Sequence, residues 1–322
     1  MVVQNRNSAQ RLFLTNDRRL NLFWRILLFV FLYFLLNALF ALIGKGLDNR
    51  LPSNLGYALY ALLIIPITFW LTYRFRHSID KRSWRGVGLT PLSTGLPIAL
   101  LGFILSGVML GLVFALQYAF GWIHITGVGF GTTGMVSGLG YLLVGLLFLG
   151  IAPGFTEELV MRGYVFQNLG ASLPIWLATV INGILFGLLH FTPLLQAGLG
   201  MVTLFYVIFT ILATVFLVLS RLGTRTIWLA IGWHAGWDWF LDSVSGLGAV
   251  NDPTAHPLFH LKPAGPVVLM GGSSGAAAML EGGPVSLLVL LLGIALLLVW
   301  TNRRRQVNWR ARLNDEGEPI LR

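Results

Sequence analysis

An ionisable side chain inside an apolar helix costs about 2.5–3.5 kcal/mol on insertion scales, so any that occur there are candidates for chemistry. The chain has twelve acidic residues in all. Four of them, Glu157, Glu158, Asp238 and Asp242, fall within apolar segments, where Arg162, His190 and His234 join them. Glu158 and Arg162 are four residues apart with the acid first, the favourable order on one helical face. His234 and Asp238 share that spacing, and His190 lies four residues after Phe186. Carboxylates and imidazoles brought together can activate a water, move its proton and stabilise the charge that develops. A His₂Glu zinc site at Glu157, His190 and His234 is the other chemistry that these residue types allow, although the HExxH arrangement is absent. There are no cysteines, which excludes disulfides, thiol catalysis and Cys-based zinc sites.

The elements that must position this set are membrane helices. Hydrophobic residues make up 56% of the chain and charged residues 11%, against about 25% charged in soluble domains. Apolar runs of helix length recur at 22–43, 55–73, 95–120, 138–169, 173–192, 199–220, 227–246 and 284–300. The expected fold is therefore all-α, a polytopic bundle of about eight transmembrane helices. The first run is too long for the core of a cleavable signal and reads as a retained helix. Of the 22 Lys and Arg residues, eighteen lie in the N-terminal arm, the 74–94 and 221–226 loops and the C-terminal tail. Lys45, Arg50 and Lys262 lie in the alternate loops, and Arg162 lies inside a span. By the positive-inside rule both termini are cytoplasmic. The net charge of +10 is thus explained by topology and by anionic lipids at the basic loops, not by nucleic acid. Residues 247–283, with the Gly/Ser/Ala-rich run 271–278, form the longest link and should face outward.

A turn near Gly170–Pro174 would fold spans four and five into a hairpin. Glu157 then lies about 20 Å from the turn along one arm and His190 about 24 Å along the other, at similar depth. His234 and Asp238 lie about 10–17 Å beyond the 221–226 loop, so all four can converge near the cytoplasmic side. Gly150/Gly154, Gly183/Gly187 and Gly232/Gly236 have G-x-x-x-G spacing, which permits backbone-to-backbone packing of the three helices that carry the polar set.

The same residues carry a family resemblance. Glu157-Glu158 with Arg162 matches E-E-x-x-x-R, Phe186 with His190 matches F-x-x-x-H, and His234 with Asp238 matches H-x-x-x-Asn/Asp. In this order, over residues 140–245, they resemble the CPBP family of CAAX proteases and Abi-type bacteriocin-immunity proteins. The resemblance implies an all-helical intramembrane endopeptidase, with residues 136–246 as its catalytic core. Residues 1–135 would supply the first three helices, and 247–322 an outer loop, the last helix and a basic tail. The expected location is the bacterial plasma membrane. The substrate would be a membrane protein or a lipidated, possibly prenylated, peptide.

Under that resemblance Glu157 deprotonates a water also held by His190, with no cofactor, while His234 and Asp238 face the scissile carbonyl. Glu158 and Arg162 form a structural pair, supported by Phe186. Asp238 stands where family members often have Asn; it must carry a proton to stabilise an oxyanion, or else it orients His234. A zinc-dependent mechanism at Glu157, His190 and His234 remains the alternative. A non-catalytic scaffold or immunity protein, and a transporter using the carboxylates as a relay, are the rival functions. Blander readings apply elsewhere: Asp242 as a span-end residue, Trp233, Trp237 and Trp239 as an interfacial belt, and the tail with Trp309 as a lipid-facing anchor. His256 and His260 are spaced to hold a metal, though in a Pro-flanked loop, and His77 and His124 read as ordinary loop or interface residues.

Overall fold

The computed structural model describes residues 13–15, 19–48, 55–130, 134–190, 200–246, 257–270, 283–304 and 307–320. Each of the eight apolar runs holds a helix: α1 (Leu22–Asp48), α2 (Leu55–Arg74), α3 (Leu92–Ala119), α4 (Met135–Ser172), α5 (Ile175–Leu189), α6 (Met201–Thr224), α7 (Trp228–Trp239) and α8 (Pro284–Arg303). Six of them, α1, α2, α3, α4, α6 and α8, are long and apolar enough to cross a membrane. The chain is an all-α, polytopic integral membrane protein.

Of the about eight expected spans, six are long helices and two are short. α5 has 15 residues, and α7 has 12 followed by a five-residue π turn, Phe240–Val244. At 1.5 Å per residue these reach about 22 and 25 Å, less than the roughly 30 Å of a bilayer core. The packing explains why α7 need not match the bilayer. Every residue from Trp228 to Trp237 is buried, between α3 on one side and α4 on the other. α5 shows lipid one stripe, Trp176, Val180, Ile184 and Leu188, at the i, i+4 repeat of a single helical face. α6 packs between α5 and α8, and the α1–α2 pair leans on α4.

Glycines set how closely these helices approach. A Cβ at Gly232 would collide with the Ala99 carbonyl, and one at Gly102 with the Leu229 carbonyl, so α7 and α3 meet backbone to backbone. A Cβ at Gly154 would lie 2.7 Å from the Ala235 nitrogen, and one at Gly187 3.0 Å from Thr210 Oγ1. The small-residue spacings thus serve the contacts α7–α3, α4–α7 and α5–α6.

Three features lie outside the helical pattern read from the sequence. First, β1 (Ile123–Val128) pairs antiparallel with β2 (Phe259–Pro263), with an irregularity between Ile125 and Gly127. His260 sits in this pair with Nε2 2.9 Å from the Gly129 carbonyl oxygen; His256, with which its spacing could hold a metal, lies outside the described residues. Second, the tail is held to the bundle by backbone hydrogen bonds. It folds back on the end of the bundle where α4 meets α5: the Ile175 and Trp176 amides donate to the Ala311 and Trp309 carbonyls, and the Leu313 amide to the Gly170 carbonyl. Trp309 packs against the hydrophobic core there. Third, Asp80 is fully buried at that end. It pairs with Arg25 at 3.2 Å and Arg76 at 3.6 Å and accepts from Tyr164 Oη and Asn168 Nδ2 at 3.0 Å each. A buried carboxylate with that many donors is well compensated, and it ties α1, α2 and α4 together.

Candidate active site

α4 supplies the first part of the site. It is one continuous rod, but Leu146–Ile151 and Leu159–Val165 are wound as π-helix on either side of Ala152–Glu158. Such bulges interrupt the regular ladder and recur at functional sites. A neighbouring helix supports the second one: Asn182 Nδ2 on α5 donates to the Met161 carbonyl at 2.9 Å. The turn expected near Gly170–Pro174 is present, with Leu173 extended and Pro174 capping α5. The hairpin brings Glu157 and His190 to the same depth, with Glu157 Oε2 3.9 Å from His190 Nε2.

Adjacent residues of α4 point to different surroundings because successive side chains diverge by about 100°. Glu158 turns into the protein and is fully buried. Its Oε1 accepts from Arg162 Nη1 at 2.9 Å and lies 2.9 Å from His234 Nδ1. Arg162, also fully buried, donates through Nη2 to Thr214 Oγ1 at 3.0 Å and sits 4.3 Å from the centre of the Phe186 ring. The expected structural pair is therefore present, but it has a third member. Glu158 orients His234, the role that the sequence reading offered to Asp238. Phe186 contacts Arg162 and both histidine rings.

Glu157 faces a cavity of about 400 Å³ enclosed by α1, α2, α4, α5, α6 and α7. Its side chain is 22% exposed, and Oε2 is buried without a hydrogen-bond partner among the described residues. His190, at the end of α5, has Nδ1 3.0 Å from the Phe186 carbonyl oxygen. A carbonyl only accepts, so Nδ1 carries the hydrogen and Nε2 is left toward Glu157. Opposite them, His234 Nε2 lies 3.4 Å from Asp238 Oδ2. Since Nδ1 of His234 donates to the Glu158 carboxylate, this second contact is favourable only with a proton between Nε2 and Oδ2. Glu157, His190, His234 and Asp238 all line the same cavity, so the four residues singled out from spacing are brought together.

Both nitrogens of His234 face carboxylates, and among the described residues no three His, Asp or Glu side chains are placed to hold an ion.

Other parts of the lining were misread or missed. Asp242 lines the cavity and does not merely end a span. Trp233 and Trp237 are 2% and 1% exposed, stack at 4.9 Å and form a cavity wall; they are no interfacial belt. Tyr33, Asn37 and Tyr60 line it from α1 and α2, and Thr214 binds Arg162 from α6. Tyr33 and Asn37 did leave a signal, an i, i+4 polar pair within an apolar run.

Fold and site together define a polytopic membrane protein with a buried carboxylate–imidazole centre. Residues 138–240 match the family described as Rce1-like, type II CAAX prenyl endopeptidase Rce1-like. The match covers about a third of the chain, spans all three motifs, and agrees with the resemblance to the CAAX-protease family. No curated protein and no solved structure matches the chain.

Proposed function

We propose that the chain is an intramembrane endopeptidase that hydrolyses a peptide bond of a membrane-associated protein or a lipidated, possibly prenylated, peptide, using a water activated by Glu157. One observation carries this reading. Glu158 is committed to Arg162 and His234, while Glu157 lines the cavity and its Oε2, without a hydrogen-bond partner among the described residues, lies 3.9 Å from His190 Nε2. That gap is too wide for a hydrogen bond. It suits a water held by both atoms at about 2.8 Å each. Glu157 takes a proton from this water as its oxygen attacks the scissile carbonyl carbon. The oxyanion develops toward His234 and Asp238, where the shared proton stabilises it. The tetrahedral intermediate then breaks its C–N bond, and the proton held by Glu157 passes to the leaving amine; the new carboxylic acid gives its own proton to that amine, leaving a carboxylate, an ammonium and Glu157 ionised again.

The mechanism uses no metal. We place the protein in a bacterial plasma membrane with both termini cytoplasmic, on the strength of the Lys/Arg asymmetry and the family resemblance, and the basic loops would meet anionic lipid headgroups.

The test uses purified protein and a fluorogenic farnesylated CAAX peptide beside its unprenylated counterpart. Mass spectrometry identifies the bond cut, and comparative proteomics of membranes carrying wild-type or Glu157→Gln protein seeks an accumulating precursor. Cleavage abolished by Glu157→Gln is expected. No cleavage of either peptide, together with identical membrane proteomes, refutes the reading.

A further inference from the structure

The cavity has a second polar wall, on α1 and α2, that the hydrolytic mechanism does not use. Tyr33 and Asn37 on α1 and Tyr60 on α2 line it and are linked in series. Tyr60 Oη donates to Asn37 Oδ1 at 2.7 Å, and Asn37 Nδ2 donates to the Tyr33 carbonyl at 2.9 Å. Thr156 Oγ1 spends its hydrogen on the Ala152 carbonyl, so Tyr33 Oη is the donor in the 3.3 Å contact between the two hydroxyls. Thr156 is the residue next to Glu157, so the series ends beside the proposed base. These contacts use only part of the available capacity: Asn37 has a further amide hydrogen and acceptor site, and Tyr60 Oη still has lone pairs.

We propose that Asn37 and Tyr60 bind the main chain of the peptide substrate next to the scissile bond, with Tyr33 positioning them against α4. A peptide bond can be attacked only when its backbone is extended and freed from its own helix. In an apolar bundle every N–H and C=O so released must find a partner. The catalytic wall serves the scissile carbonyl, and the remaining walls are largely aromatic or aliphatic. A side-chain amide matches the donor–acceptor pattern of a main-chain amide, and a phenol oxygen accepts from an N–H. Because this recognition reads backbone, it is indifferent to the side chains of the substrate.

The proposal rests on the endopeptidase reading. Its test measures kcat and KM on the farnesylated CAAX peptide for wild type, Asn37→Leu and Tyr60→Phe. Binding of the same peptide to Glu157→Gln protein, with and without Asn37→Leu, is followed by tryptophan fluorescence. Losing one neutral hydrogen bond should raise KM about threefold to tenfold. Since the lost interaction is equally present in the ground state, kcat should stay within about twofold of wild type. A purely structural role would lower the thermal midpoint and kcat together. Unchanged KM in both variants, or that joint loss, overturns the proposal. Failure of the endopeptidase reading looks different: wild type releases no product, while Asn37→Leu still weakens binding to the Glu157→Gln protein.

Discussion

Arg162→Met is the perturbation that separates what Glu158 does for stability from what it does for chemistry. Arg162 and Glu158 are both fully buried and meet at 2.9 Å. Removing the guanidinium leaves a carboxylate in the bundle with His234 Nδ1 as its remaining described partner, and its Oε2 is already buried without one. Breaking a buried pair from one side costs about 3–5 kcal/mol, and the variant also forfeits the Thr214 bond and the contact with Phe186. The thermal midpoint in detergent should fall by on the order of 10 °C. Adding Glu158→Gln removes the orphaned charge, and since neutral replacements of buried pairs are often tolerated, the double variant should regain most of the loss. Turnover should not return with it. His234 Nδ1 would face an amide in place of a carboxylate, a change that costs up to about 10⁴ in kcat in the serine-protease template. The assay pairs thermal melting by fluorescence-detected size exclusion with single-turnover cleavage. A stable double variant that turns over at the wild-type rate would refute the role given to Glu158, and an Arg162→Met protein as stable as wild type would refute the energetics.

Further outcomes follow from the same geometry. Glu157→Ala and His190→Ala should each fold normally and lose orders of magnitude in turnover; near-normal rates on a verified substrate would end the water-activation assignment. Asp238→Asn should keep activity, because the amide supplies a hydrogen where the contact between His234 and Asp238 needs one. Asp238→Ala should lose about a hundred- to a thousandfold, as for one oxyanion donor. Single-turnover rates of the two variants on one peptide decide, and an Asn variant as dead as the Ala variant would make Asp238 an orienting carboxylate. Exhaustive chelation should leave turnover intact and the protein metal-free by mass spectrometry; loss restored by zinc would reverse the metal-independent reading. Gly232→Ala should prevent stable packing of α7 on α3, since its Cβ would meet the Ala99 carbonyl, and an unchanged thermal midpoint would contradict that contact. Because the chain has no cysteine, single cysteines can report topology: those at Arg82 and Arg310 should react only from the cytoplasmic side and one at Ala264 only from the outside.

The sequence alone determined the helical segments, their order and the four ionisable residues, Glu157, His190, His234 and Asp238, that meet at the cavity. Local rules suffice for these. Apolar runs of sufficient length give helices, and i, i+4 spacing puts Glu158 with Arg162 and His234 with Asp238 on shared faces. A short turn then brings Glu157 and His190 level. Contacts between distant segments were settled only by the tertiary structure. That Glu158 reaches across to His234, and that α1 and α2 contribute Tyr33, Asn37 and Tyr60, depends on which helix faces which, and periodicity within one helix carries no such information. Hydropathy also fails to separate lipid-facing from protein-facing surface, because lipid chains are as apolar as leucine. So Trp233 and Trp237 looked like a membrane belt but are a buried wall, and α7 looked like a full span but is a short helix enclosed by its neighbours. The docking of the tail was hidden for a related reason. Its Arg and Trp residues suit a lipid surface by composition, but the backbone hydrogen bonds that dock Trp309 and Ala311 on α5 do not depend on side-chain identity, so composition could not reveal them.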